Sequence, residues 1–217
     1  MTLGKLADDI ILRITKSNPT DDSEIEKDQI IYLLSQARDG IVKSYLDKMI
    51  LANQPIDTMY VERFIGPVNS VESQAVVDAI NERIFITLPK QPLALLKDLG
   101  IVQVLTDDYL PVMRYHLENF TVLNSLRYAK PSPENLCFYR EGNKIIIKGI
   151  KSINTDSDHF IVDYIPALAS TNPTADDDVI LSDALLSELT GMVEETMRKQ
   201  MYDTAQDLNN DGVQEPK

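Results

Sequence analysis

The chain has 217 residues, 43% of them hydrophobic, and a net charge of −13. That apolar fraction supports a packed core without disulfides and excludes a disordered chain, and the charge opposes broad binding to nucleic-acid phosphates. No run of about 18 apolar residues is present to cross a bilayer, so no membrane partner is expected. From the amino end, Leu3, Leu6, Ile10 and Ile14 recur at helical spacing and predict a short helix over 2–15, broken by Asn18-Pro19. The segment lacks the continuous apolar stretch and small-residue cleavage site of a secretory signal, so the chain is expected to stay in the cytoplasm of the cell that makes it. Ser23 and Glu26 then match a capping box, in which hydroxyl and carboxylate satisfy opposing N–H groups. A long helix follows from about Glu24 to Leu51, with Ile30, Leu33, Leu34, Ala37, Ile41, Tyr45 and Met49 as its apolar stripe. Gly40 lies inside it and costs roughly 1 kcal/mol against alanine. A close contact with another helix or another subunit would compensate. Gln54-Pro55 ends the element.

Residues 58–166 are β-rich. Tyr60–Ile65, Arg83–Leu88, Gly100–Leu105 and His159–Ile165 read as strands, with a short helix over Ser73–Asn81. Leu88-Pro89-Lys90-Gln91-Pro92-Leu93 is too rich in proline for a central strand and reads as a stiff extended connection. Leu136–Ile150 is the clearest local signal, two strands flanking Glu141-Gly142-Asn143 in a β-hairpin. The chain returns to helix over 167–203. Asp176, Asp177 and Asp178 are expected at its N-terminus, where the helix dipole favours negative charge. Val179, Leu181, Leu185, Leu186, Leu189, Met192, Val193 and Met197 form its apolar face, with Arg198 and Lys199 near its end. Residues 204–217 read as a loose acidic tail. The expected fold class is α+β, with the long N-terminal helix and the C-terminal helix packed together, and with a β-rich middle containing a hairpin. The expected parts are 1–57, 58–166, 167–203 and 204–217, forming one structural unit.

Charge is unevenly spread. Residues 154–217 carry a net −11 and the first 153 a net −2. Such an acidic end favours solubility, docking on a basic partner, or a surface that faces DNA without adhering to it.

Residues that could carry chemistry are few. Cys137, the lone cysteine, lies in the apolar run LCFY and reads as a small buried hydrophobe rather than a nucleophile. His116 and His159 stand in no recognisable motif. Asp156-Ser157-Asp158-His159 offers oxygen and nitrogen ligands but has no second cluster to complete a metal shell, and Asp and Ser are ordinary turn residues. Asp207-Leu208-Asn209-Asn210-Asp211-Gly212 copies the first half of a calcium loop, but the bidentate Glu of the twelfth position would fall beyond Lys217, and Glu215 comes too early. Asp107-Asp108 resembles an acid–base pair and is more simply a solvated turn. Phosphate-cradling glycine patterns are absent. Lys144, Lys148 and Lys151 give the hairpin a basic strand face, too small for nucleic acid but suited to the acidic end of a neighbouring copy. No catalytic, cofactor-binding or metal-ligating residue is assigned, and no cofactor is expected.

Three segments, taken in order, carry a resemblance: LADDIILRI with DDSEIEKDQIIYLLSQARDGIVKSYL, then LPKQPLALLKDLGIVQV, then IPAL with LLSELTGMVEETMRKQM and the acidic DLNNDG tail. Together they resemble virion structural proteins of tailed bacteriophages, above all head–tail connector or ring proteins of crAss-like phages of gut Bacteroides. The similarity spans most of the chain, through a helix pattern, an LP-x-x-P connection and a tail, with no catalytic signature. It implies a non-enzymatic subunit of a ring, typically of twelve copies, that stacks beneath the portal, contacts neighbouring tail proteins and lines a DNA channel without reading sequence. It also implies a place in the virion after assembly in the host cytoplasm. The alternative is a soluble acidic adaptor or regulatory module that binds a basic protein partner.

Overall fold

The computed structural model describes residues 1–15, 26–67, 69–71, 83–115, 131–132, 135–149, 159–169 and 172–210. The fold is α+β: among the described residues, three α-helices lie towards the two ends of the chain and eight strands between them. It divides into two compact units, Met1–Lys48 with Leu168–Lys217, and Met49–Ala167.

The first unit is helical. Helix α1 spans Leu3–Ile14, α2 spans Lys27–Leu51 and α3 spans Asp183–Asn210. The predicted periodicity of α1 holds: Leu3, Leu6, Ala7, Ile10 and Ile14 are buried and meet Ile30, Ile31, Leu34 and Ile41 of α2 and Leu189, Val193 and Met197 of α3 in one core. Burial of each Leu, Ile, Val or Met side chain among them contributes about 1.5–3 kcal/mol. Helix α2 begins with the Gln29 and Ile30 N–H groups donating to the Glu26 carbonyl. The Ser23 half of the expected capping box lies outside the described residues. Its far end closes as a Schellman turn, with Asn53 at φ 53° and the Gln54 and Asn53 N–H groups bonding back to the Met49 and Ile50 carbonyls.

The acidic triplet is a correction. Helix α3 starts at Asp183, so Asp176–Asp178 do not sit at its N-terminus. The backbone there serves α1 instead: the Leu3 N–H donates to the Asp177 carbonyl and the Gly4 N–H to the Ala175 carbonyl, each at 2.9 Å. These bonds satisfy N–H groups that a helix start leaves open. A Cβ on Gly4 would meet Ala175 at 2.9 Å, so the approach needs a glycine. The Asp177 side chain bonds back to Thr174, closing a turn rather than capping a helix. At the other end, the residues expected to leave the helix after Asp203 continue it to Asn210.

The second unit is two sheets. One has the order β1-β8-β4, built from Glu62–Pro67, His159–Tyr164 and Ile101–Thr106. The other has the order β2-β3-β7-β6-β5, built from Asn69–Val71, Arg83–Thr87, Lys144–Lys148, Cys137–Glu141 and Met113–Arg114. All pairs are antiparallel except β5 with β6. Alternate residues of both sheets, among them Ile86, Val104, Phe138, Ile145, Ile147, Phe160, Val162 and Tyr164, fill a common core. The hairpin forms as expected. Glu141 pairs with Lys144, leaving Gly142-Asn143 as the turn, with Gly142 at φ 62°. The short helix expected over Ser73–Asn81 lies outside the described residues. The proline-rich connection runs beside the end of β8, through a Pro92–Pro166 bridge and a 2.7 Å bond from the Leu93 N–H to the Ile165 carbonyl.

Candidate functional site

Among the described residues, those singled out for chemistry do not converge. Cys137 is 1% exposed on β6, and burial pushes its thiol up to about 11, away from thiolate chemistry. His159 opens β8, and its backbone N–H donates to an Asp107 carboxylate oxygen at 3.0 Å. Asp107 and Asp108 therefore form an exposed turn whose first carboxylate tethers a strand. His116, Lys151 and Asp156–Asp158 lie outside the described residues. Lys144 stacks over the Phe85 ring at 4.6 Å, and Lys148 is half-buried. The half calcium loop loses its loop, because Asp207–Asn210 are helical and a helix cannot wrap a cation as that loop does. Among the described residues no group of three or more His, Cys, Asp or Glu is placed to hold a metal.

What the first unit does offer is a groove. Helices α2 and α3 share the core through Ile30, Leu34, Leu189 and Val193 and leave an opening between them. The opening is about 610 Å³, lined on α2 by Leu33, Ala37, Gly40, Ile41 and Tyr45 and on α3 by Leu185, Met192 and Val193. Lys48 and Glu188 give it one cation and one anion. Its cause is in the sequence. Helix α2 has a second apolar line, Ile31, Val42, Leu46 and Ile50, all buried. The stripe read as its single packing seam is therefore only half used, and its Ala37–Tyr45 stretch faces the groove. Gly40 is exposed, and a Cβ there would have no atom within 4 Å. The compensating contact expected for this glycine does not come from the described part of its own chain.

Charged side chains brace both units. In the first, the buried Asp39 carboxylate accepts from Arg38 Nη1 at 2.9 Å and from the Leu168 and Ala169 N–H groups at 3.1 and 2.9 Å. In the second, Arg63 of β1 grips Asp163 of β8 through two bonds of 2.7 and 2.8 Å, and Gln103 of β4 adds a third of 2.6 Å. The Arg63 guanidinium, helped by Gln103 and opposed by burial, holds the Asp163 carboxyl below the usual aspartate range. Arg140 ties the hairpin to the connection before β4, bonding to Asp98, the Pro92 carbonyl and the Gly142 carbonyl. Sequence reasoning missed all three. The one available signal was Arg38 and Asp39 beside the apolar positions of a helix that is otherwise buried there. The partners of Asp163 lie 100 and 60 residues away and left no local trace.

The second unit also carries an exposed apolar loop. After β4 the chain turns through Asp107-Asp108-Tyr109-Leu110, with Tyr109 65% and Leu110 61% exposed. Three bonds hold it: Thr106 N–H to the Leu110 carbonyl, Tyr109 N–H to the Thr106 carbonyl, and Leu110 N–H to Thr106 Oγ1.

No helix among the described residues is long and apolar enough to cross a membrane. Residues 5–215 match a crAss family model described as phage tail ring protein 2. No curated protein matches the chain.

Proposed function

The chain belongs to the crAss phage tail ring protein 2 family, a structural component of the virion, and from that premise we propose that it is a non-enzymatic subunit of the head–tail connector. Copies stand side by side in a ring, twelve in number, close to the portal and to neighbouring tail proteins, with DNA passing through the centre. The observation that carries this reading is the family match over nearly the whole chain. Two features support it further. A net charge of −13 suits a wall past which phosphates slide without binding. An open apolar groove and an exposed apolar loop suit a chain that completes its packing only among copies.

The test is native mass by light scattering, for the chain alone and then mixed with the portal protein of its source phage. The expected result is a species of many subunits in at least one of the two samples. A monomer in both would overturn the reading.

The acidic-adaptor reading has one observation in its favour, the net −11 over residues 154–217. Within α3, Glu194 pairs with Arg198 at 2.8 Å and Glu195 with Lys199 at 2.7 Å, so two of the three cations counted in that net are held by their own helix.

A further inference from the structure

A ring of identical copies is built from a heterologous contact, in which one patch of each copy meets a different patch of the next. Each chain must then present two unlike, complementary surfaces. The described residues include a concave apolar surface, the α2–α3 groove, and an exposed apolar loop, Tyr109–Leu110. Their other properties match in three respects.

The loop is prepared for insertion. Tyr109 has φ 60°, a left-handed conformation that a bulky residue adopts only when held there. The three bonds through Thr106 hold it, yet the strained residue keeps its own side chain in solvent. Strain that buries nothing within the chain but fixes the backbone carrying an exposed aromatic ring suits a preorganised contact.

Groove and loop also match in charge. Asp107 and Asp108 directly precede the loop's apolar tip, and both are exposed. The groove has a lysine, Lys48, among its lining residues. Seating the loop lets an aspartate meet the lysine beside an apolar centre, the arrangement of a hot spot with a polar rim.

Finally, Gly40 lies in the groove wall with open space where its side chain would be. Any side chain there would narrow the groove. A glycine that its own helix does not need is explained if an aromatic ring from outside takes that space.

We infer that neighbouring copies join by seating the Tyr109–Leu110 loop of one in the α2–α3 groove of the next, an inference that rests on the ring reading above. The test uses full-length chains with one introduced cysteine each, Met192→Cys in the groove and Leu110→Cys in the loop. Both sites are exposed, whereas Cys137 is 1% exposed and should stay silent, as wild-type chain will verify. Chains are assembled with the portal, and mass is measured before a short bismaleimide is added. The expected result is a covalent dimer when the two variants are mixed and none from either alone. A second variant, Tyr109→Ser with Leu110→Ser, should keep the monomer's thermal transition and weaken assembly about tenfold or more, as loss of a central aromatic anchor does. A ring that assembles without the mixed crosslink, or in which Met192→Cys chains link to one another instead, overturns the groove-and-loop contact and leaves the ring reading standing. A chain that never assembles overturns both.

Discussion

Replacing Gly40 with alanine should stabilise the isolated chain. Glycine inside a helix loses more backbone freedom on folding than alanine does, a difference of about 1 kcal/mol. Such substitutions usually lose that gain to a clash. Here the added Cβ has nothing within 4 Å, and Gly40 is helical, so neither contact nor φ opposes the change. The full propensity difference should therefore appear. For a chain of this length about 1 kcal/mol raises the melting temperature by about 2–4 °C. Thermal unfolding followed by circular dichroism, at a concentration where the chain is monomeric, measures it. A melting temperature that falls would refute the reasoning, because it would mean that the chain itself fills the space beside Gly40. The same substitution should weaken ring assembly, so stability and assembly should move in opposite directions.

Asp39→Ala removes a buried carboxylate that accepts three hydrogen bonds, one of them from the Arg38 guanidinium, which is 3% exposed. Breaking such a pair typically costs about 3–5 kcal/mol, and a urea midpoint shift worth under about 1 kcal/mol would show that the brace is dispensable. Asp163 supplies a pH dependence. Its folded-state pKa lies below the ordinary 3.8, so its contribution is present above that value and lost as pH falls through the lower folded value. Asp163→Asn should remove this part of the acid limb of the stability curve, and an unchanged acid limb would contradict the assignment. Gly100→Ala drives a Cβ into the Leu93 carbonyl oxygen, where only backbone can give way. It should destabilise by about 1–3 kcal/mol, and a neutral result in thermal unfolding would contradict the close approach of the two segments.

Helices and the hairpin were legible in the sequence because both are local. Leu3, Leu6, Ile10 and Ile14 lie on one face of α1 whatever the rest of the chain does, and Gly142 alone fixes the β6–β7 turn. Six of the eight strands among the described residues were visible as β-branched and aromatic runs. The two that were not, Asn69–Val71 and Met113–Arg114, are three and two residues long, and they exist only because longer neighbours pair with them. Strand order was not legible, because pairing β1 with β8 joins residues about 100 apart in sequence. The start of α3 was misplaced because Val179 continues the apolar pattern of the helix. Its N–H is nevertheless committed to the Met1 carbonyl at 2.8 Å, which holds the segment extended. Its end was misplaced for the opposite reason. The apolar stripe stops near Met197, but no glycine or proline interrupts the chain before Gly212, so helical hydrogen bonding continues without it. The groove was hidden by the assumption that one apolar stripe means one packed seam, when α2 carries two.

The central claim is that this chain works as one member of a ring, and electron microscopy of the chain assembled with its portal tests it most directly. The account predicts class averages showing a closed ring with a central channel wide enough for duplex DNA, twelvefold about its axis. Portal particles that look the same with and without the chain would contradict it.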